Sequence, residues 1–169
     1  MVLLETVTEL LKEREVWTGK AVKRKEDLRL ITGYGKFVDD VKLTGMAYAA
    51  ILRSPYAHAK IVKVDVSKAE KIPGVICTLT GDEVAKLTEP FLQISPSPAN
   101  KIKDYCLAVG KVRYFGEPVV AVVAESRALA EDALEQIEVE YEVLPHVLDA
   151  REALKKGAPI IHTKRLEQT

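Results

Sequence analysis

Cysteine is scarce in this sequence of 169 residues, which has only Cys77 and Cys106. The two are separated by 28 residues and no CxxC pair occurs, so the chain offers neither a zinc ribbon nor a ligand set for an iron–sulfur cluster. We expect two buried free thiols, as in many proteins of reducing compartments.

Long apolar runs and an excess of one charge are also missing. The longest apolar run, residues 118–124, is far shorter than the roughly 20 residues that span a bilayer. Residues 1–16 carry acids as well as bases, unlike a secretory signal, so we expect a cytoplasmic protein. The 25 basic residues balance 25 acidic ones, which disfavours nucleic acid and anionic membranes as partners.

Signatures of nucleotide and ester chemistry are lacking too. Gly33-Tyr34-Gly35 is followed by Lys36-Phe37-Val38, so the third glycine of a dinucleotide fingerprint is not in place. No GxxxxGK[ST] loop and no GxSxG elbow occur. The sequence therefore points away from nucleotide binding and serine hydrolysis.

The composition that is present indicates one folded domain with tails. A chain of this length with 47% hydrophobic residues can bury a core of its own. Its 30% charged residues, with one asparagine and three glutamines, fit the avoidance of labile residues in thermophile proteins.

The first part of the chain contains a helix-like pattern and then a basic stretch. Residues 1–15 predict an amphipathic helix, which the only tryptophan, Trp17, follows. Residues 19–29 are strongly basic and without periodicity, so we expect an extended arm there. The apolar positions of the helix are Leu3, Val7, Leu10 and Leu11.

The middle of the chain predicts strands joined by short helices. Strands are expected over residues 46–53, 60–66 and 75–80. We expect Ser67 to cap a short helix through Lys71, and another helical turn over residues 81–87. Residues 94–104, rich in proline and serine, predict an exposed loop.

The last part predicts a strand, a helix and a second strand. Residues 111–115 and 118–125 flank a Gly-Glu-Pro break, and the Val/Ala run of the second piece is typical of a strand covered on both faces. Ser126 should cap a helix over residues 127–136, and residues 137–144 alternate as a strand. Asp149 should cap a last helix to Lys156, closed by Gly157.

The helix over residues 127–136 and the strand before it should pack closely. The small residues Ala121 and Ala124 permit the approach of helix to sheet, and Gly116 with Pro118 shapes the bend. Together these elements predict the α+β class, a small mixed sheet packed with a few short helices.

Histidines are the first candidates for chemistry. His58, His146 and His162 are far apart and lack partners four residues away, so we expect structural or exposed residues and not metal ligands. His58 lies in a turn between two strands, where its imidazole can bond backbone groups; an acid–base role is the alternative.

Carboxylates are the second candidates. Glu138, Glu140 and Glu142 share one strand face, which we expect to be solvated. Asp39 and Asp40 could act in acid–base chemistry, but adjacent side chains on extended backbone point apart, and a turn is expected. We predict no catalytic, cofactor-binding or metal-binding residue.

Two segments carry a resemblance to a known family: RSPYAHAKI, residues 53–61, and GKVRYFGEPVVAVVAE, residues 110–125. Together with VDVSKAEKIPGVICTLTGDEV between them, they resemble the α/β hammerhead domain of the large subunit of molybdenum hydroxylases, the family of xanthine dehydrogenase, aldehyde oxidase and aerobic carbon monoxide dehydrogenase. The resemblance extends from about residue 19 to about residue 162. It implies an N-terminal extension, 1–18, a hammerhead domain, 19–162, and a tail, 163–169.

The resemblance also implies where the chemistry would lie. In the family the molybdopterin-binding region and the catalytic glutamate follow the hammerhead, and residue 169 falls about where that region would begin. No cofactor is then expected on this chain; molybdopterin, iron–sulfur clusters and FAD are expected in the parent assembly. The expected partners are a molybdopterin-binding chain and the iron–sulfur and flavin subunits.

Two functions follow as hypotheses. The first is a structural, domain-docking portion of such an enzyme, either a separate subunit or a truncated large chain, without catalytic residues of its own. The alternative is a stand-alone interaction or small-molecule-binding module; isolated, either could form a homo-oligomer. Core packing is the expected role of four aromatic residues, and interface anchoring is the alternative: Phe91, Tyr105, Tyr114 and Phe115.

Overall fold

The computed structural model describes residues 17–91, 102 and 104–162. The chain divides into two compact units, Met1–Thr44 and Gly45–Thr169. The predicted helix over residues 1–15, most of the predicted loop over residues 94–104 and the tail from residue 163 lie outside the described residues.

The first unit contains two short helical segments in its described part. Helix α1 is Asp27–Ile31, and a 3-10 turn follows at Val38–Asp40. The extended arm predicted through Arg29 is therefore wrong at its end. Asp27 accepts a hydrogen bond from the backbone N–H of Arg24 (3.0 Å), a local turn that starts the helix within the basic stretch.

The second unit contains six strands in its described part: β1 Tyr48–Arg53, β2 Ala59–Asp65, β3 Val75–Thr80, β4 Lys111–Val112, β5 Pro118–Ala124 and β6 Glu138–Val143. The α+β class is confirmed. The strands are divided between two three-stranded sheets, ordered β1-β5-β3 and β4-β2-β6, and every pairing among them is antiparallel.

The described part of the second unit also contains three helices: α2 Gly81–Leu87, α3 Arg127–Leu134 and α4 Ala150–Ala153. Ser126 and Asp149 cap α3 and α4 as predicted; the Ser126 hydroxyl accepts from the N–H of Leu129 (3.3 Å), and Asp149 accepts from two N–H groups. Helix α2 begins in a capping box made by Thr80 and Glu83.

The predicted cap at Ser67 is wrong. The segment that follows is a 3-10 turn, Ala69–Lys71, without a side-chain cap. The Ser67 hydroxyl instead donates to Asp65 Oδ1 (2.6 Å), as does the Ser67 backbone N–H (3.1 Å). These bonds lower the pKa of Asp65 to about 2.

The core lies where β5 meets α3 and the second sheet. Val120, Val122 and Ala124 of β5 are fully buried, as are Ala130 and Ala133 of α3. The strand predicted from the Val/Ala run is thus confirmed, but its burial on both faces is not, since Ala121 and Val123 on the other face are only half-buried. The small side chains of α3 allow close packing on the buried face.

Both cysteines are exposed, so the predicted burial is wrong, although they are free thiols as expected. Cys77 follows the alternation of β3 and lies on the opposite face from the buried Thr78. Packing against the rest of the domain decides which face of the sheet is buried, and Cys77 lies on the other face. Among the described residues, no helix is long and apolar enough to cross a membrane.

Candidate functional site: a buried ion pair beneath an exposed turn

The two segments with the most distinctive sequence meet in the structure. Arg53 Nη1 donates to the carbonyl of Gly116 (2.9 Å), and the backbone N–H of Ser54 donates to the carbonyl of Glu117 (2.9 Å). The Gly116 N–H returns a bond to the Ser54 carbonyl (2.9 Å). Further along, the N–H of Ile61 donates to the carbonyl of Gly110 (2.9 Å). Residues 53–61 and 110–117 are therefore joined by hydrogen bonds into one region.

Glu117 is the charged residue at the centre of this region, and it is buried. Its Oε1 pairs with Arg113 Nη1 (3.0 Å), and its Oε2 accepts from the Arg113 backbone N–H. Arg113 Nη1 also donates to the carbonyl of Lys111 (3.3 Å). Because a buried carboxylate is costly without partners, this double contact fixes the turn over residues 113–117 in one conformation.

His58 lies beside Lys111 and is almost fully buried. Its Nδ1 is 2.7 Å from the carbonyl of Pro145, which confirms the prediction that the imidazole bonds the backbone. Its Nε2 is 3.5 Å from Lys111 Nζ, which also donates to the carbonyl of Ile161. Burial lowers the pKa of Lys111, and Arg113 lowers it further. Through these hydrogen bonds, His58 holds Pro145 and Lys111 holds Ile161 against the region formed by residues 53–61 and 110–117.

The other histidines take lesser positions. His162, next to Ile161, is half-buried, and burial together with Arg113 lowers its pKa, so the neutral imidazole is favoured. His146 is exposed. Neither is grouped with other metal ligands, since the described part of the chain contains no cluster of three His, Cys, Asp or Glu side chains that could hold an ion. His58 makes the predicted backbone contact and His146 is exposed as predicted, whereas the prediction that the histidines bind no metal stays a prediction.

The polar groups of this region are hydrogen-bonded within the chain. The Glu117 carboxylate is occupied by Arg113, and His58 Nδ1 by a backbone carbonyl. Within residues 17–91, 102 and 104–162, no buried side-chain nitrogen or oxygen lacks a hydrogen-bond partner.

Aromatic side chains project from the turn that the ion pair fixes. Phe115 is 74% exposed, and Tyr114 and Phe91 are also exposed, so the expected core packing is wrong for these three. Tyr105 is half-buried. Exposed aromatic residues on a rigid turn are typical of interface anchors, because they bury much apolar area at little entropic cost.

The predicted carboxylate row is solvated, as expected. Glu138, Glu140 and Glu142 are all exposed on β6. Glu138 pairs with Lys68, which raises the pKa of that lysine, and Glu142 Oε2 is 3.9 Å from Lys60 Nζ. Asp40 accepts from the N–H of Phe37 (2.9 Å) within the 3-10 turn, so the turn predicted at Asp39 and Asp40 is confirmed.

Sequence reasoning missed the ion pair of Arg113 and Glu117 and the contacts of Lys111. One signal could have found them: Glu117 is a lone acid directly before an apolar strand, with a base four residues earlier. An acid in that position has to be paired if the strand is buried.

The chain is similar to one known family over most of its length. The sequence profile described as "Aldehyde oxidase and xanthine dehydrogenase, a/b hammerhead domain" matches residues 32–145. The chain is 43% identical over 146 residues to 6-hydroxypseudooxynicotine dehydrogenase complex subunit gamma of Paenarthrobacter nicotinovorans, covering 83% of this chain and 18% of that one. It is 41% identical to the carbon monoxide dehydrogenase large chain of Afipia carboxidovorans, covering 82% and 17%.

Solved structures agree with the sequence comparison. Quinoline 2-oxidoreductase from Pseudomonas putida 86 superposes with a TM-score of 0.73 at 43% identity, covering 84% of this chain and 18% of that one. The Cu,Mo-CO dehydrogenase in its carbon monoxide reduced state superposes with a TM-score of 0.70 at 40% identity, covering 83% and 17%. The chain thus spans less than a fifth of the length of each of these four proteins.

Proposed function

Because the chain belongs to the aldehyde oxidase and xanthine dehydrogenase a/b hammerhead family, we propose that it is the hammerhead portion of a molybdenum-dependent hydroxylase or dehydrogenase. Its role is structural: it positions neighbouring parts of the enzyme and has no catalytic residue of its own. It could serve as a separate subunit or as a portion of a large chain.

The observation that carries this proposal is the buried Arg113–Glu117 ion pair beneath the exposed Phe115. Burying such an ion pair costs desolvation energy. Here the ion pair holds the turn over residues 113–117 in one conformation and leaves the Phe115 side chain exposed to solvent. A rigid, exposed aromatic residue is suited to docking on another protein surface.

The cofactors of the parent enzyme belong elsewhere in this proposal. Iron–sulfur clusters would be held by partner chains or regions, because among the described residues Cys77 and Cys106 lie in different segments and no three ligating side chains come together. We assign molybdopterin and FAD to the same partners. The partners are then a molybdopterin-binding chain and iron–sulfur and flavin subunits. The gamma-subunit relative is named as part of a dehydrogenase complex, which supports this assignment.

The proposal also includes the residue boundaries of the domain and the location of the assembly. The hammerhead would occupy residues 19–162, preceded by an extension over residues 1–18 and followed by a tail from residue 163. We place the assembly in the cytoplasm, and the high charged fraction suits a thermophile source.

Reconstitution tests the proposal. The chain is mixed with a molybdopterin-binding chain and iron–sulfur and flavin subunits of the same organism, and the complex is isolated by size-exclusion chromatography with metal and flavin analysis. We expect a stable complex that contains molybdenum, iron and flavin. A chain that stays monomeric or homodimeric beside these partners would contradict the proposal and favour a stand-alone module.

A matched pair of variants tests the role of the aromatic turn. Phe115→Ala should weaken assembly at least about tenfold, since aromatic anchors dominate interfaces. Leu154→Ala, at an exposed leucine just after α4, should leave assembly unchanged. Equal affinity for the two variants would show that the turn is not an anchor.

A further inference from the structure

The segment that follows β6, residues 145–162, is held to the strands near its two ends. At the first end, the carbonyl of Pro145 lies 2.7 Å from His58 Nδ1. At the other end, Lys111 Nζ donates to the carbonyl of Ile161. Every residue from 145 to 162 is at least partly exposed, so apolar burial contributes little to holding the segment in place. We call residues 145–162 the strap.

The two side chains that hold the strap also contact each other. His58 Nε2 lies 3.5 Å from Lys111 Nζ. Because Nδ1 faces a carbonyl oxygen, Nδ1 has to carry the ring proton and donate it. Nε2 then keeps its lone pair and accepts from the ammonium group of Lys111. This arrangement requires a neutral imidazole, since a second ring proton would point at a cation where the histidine is only 5% exposed.

The charged groups around this pair are cations or carboxylates that already have partners. Burial lowers the pKa of Lys111, Arg113 lowers it further, and Glu117 acts in the opposite direction. Glu117 Oε1 is itself paired with Arg113 Nη1 (3.0 Å). On the neighbouring strand β6, Glu142 is 61% exposed and paired with a lysine of β2. A second proton on His58 would therefore meet mainly the charge of Lys111.

A second histidine, His162, is the last residue of the strap. Burial lowers its pKa most, and Arg113 follows; Lys111 acts in the same direction, while Asp104 and Glu117 oppose them. A histidine whose pKa is lowered in the closed arrangement gains its proton more readily once it is released. Its contribution to the closed strap is therefore complete above about pH 6.5 and is lost as the pH falls below that value.

We propose that His58, Lys111 and the strap form a proton-sensitive latch, which is closed while His58 and His162 are neutral and opens as they gain protons from solvent. Lys111 avoids a protonated His58 by turning its flexible side chain toward water, and this movement breaks its bond to Ile161. His58 Nδ1 still donates to Pro145. The end of the strap near Ile161 is therefore released, and the end near Pro145 stays in place.

Backbone dynamics of the full chain, measured by nitrogen-15 NMR relaxation, test the latch. Spectra are compared at about pH 7.5 and about pH 5.5, a range in which histidine changes its charge. Asp65, with a pKa of about 2, stays ionised throughout. We expect the order parameters of residues 160–162 to fall from about 0.85 to below about 0.6 at the lower pH. Leu144, whose N–H donates to the carbonyl of His58 (2.9 Å), should keep its value. Equal order of residues 160–162 at both pH values would overturn the latch.

Histidine substitutions assign the response to the two rings. Glutamine at position 58 can still donate to Pro145 and accept from Lys111, but it cannot gain a proton. The double variant His58→Gln/His162→Gln should therefore keep residues 160–162 ordered at both pH values. The matched control is His146→Gln, at an exposed histidine of the strap, which should respond to acid as the unmodified chain does. A double variant that still loses order at the lower pH would overturn the latch.

Lys111→Met supplies a measurement that does not depend on the histidine variants. Methionine keeps the length of the side chain but has no donor for the carbonyl of Ile161. Residues 160–162 should therefore be mobile at both pH values, while Leu144 stays ordered. Circular dichroism melting checks that the variant folds. A folded Lys111→Met chain with residues 160–162 as ordered as in the unmodified chain at about pH 7.5 would show that Lys111 does not hold the strap.

Discussion

The substitution Glu117→Gln tests the buried ion pair most directly. Glu117 and Arg113 have side chains that are 10% and 19% exposed, and the two carboxylate oxygens accept from the Arg113 guanidinium and backbone N–H. Glutamine keeps one acceptor but turns an NH2 group toward one of these donors. It also leaves the guanidinium without a counter-charge in a largely buried site.

The expected cost follows from this geometry. Removing one partner of a buried pair costs about 3 to 5 kcal/mol, and the residual exposure of Arg113 places this case near the lower limit, about 3 kcal/mol. For a domain of this size that corresponds to a fall in Tm of roughly 10 °C. The control Glu142→Gln alters an ion pair whose side chains are both 61% exposed, where at most about 0.5 kcal/mol is expected.

Urea unfolding followed by circular dichroism measures both free energies of unfolding, and calorimetry measures both Tm values. Because the ion pair fixes the turn, Glu117→Gln should also change the tyrosine near-ultraviolet signal from Tyr114. A Glu117→Gln variant as stable as Glu142→Gln would refute the reasoning, since the pair would then contribute no more than a solvated one.

Three further substitutions test local structure. Gly81→Ala would place a Cβ 1.9 Å from the carbonyl oxygen of Ala108, so we expect unfolding to become easier by at least about 3 kcal/mol. At Gly110, which has open space but a positive φ, alanine should cost only about 1 kcal/mol, and equal urea midpoints would contradict this. Ser67→Ala should raise the pKa of Asp65 from about 2 toward 3.8 in carbon-13 NMR titrations. The ionised, hydrogen-bonded carboxylate of Asp65 stabilises the fold above about pH 3.8, and this stabilisation is lost as the pH falls toward 2. If the pKa of Asp65 were the same in the Ser67→Ala variant, the hydrogen bonds from Ser67 would not be its cause.

Local features were predicted well because their causes are local. The caps at Ser126 and Asp149 form within three residues of chain, and the continuous Val/Ala run forms the strand β5 as predicted, although only one of its faces is fully buried. Ser67 shows the limit of such reasoning. Its hydroxyl had a competing acceptor two residues earlier, on Asp65, and the choice between the two is not visible in a capping pattern.

Long-range features were predicted less well because they depend on which surfaces meet. Burial of Cys77 would have required a cover over the outer face of its sheet, and the residues that the structure describes do not supply one. The prediction that Phe115 packs in the core failed for the same reason. The sequence shows an apolar residue in a turn but does not show whether that turn lies at the surface. The partners of Lys111 lie near residues 58 and 161, too far along the sequence to be paired by spacing.

The pairing of β1 with β5 has a consequence for synthesis of the protein. Residues 48–53 find their partner only in residues 118–124, so a ribosome must deliver the whole intervening segment before the central sheet can close. Contacts of such long sequence separation slow folding and leave nascent apolar strands open to aggregation. Expression at low temperature or with a chaperone in excess should therefore raise the yield of this chain more than that of a helical protein of equal length.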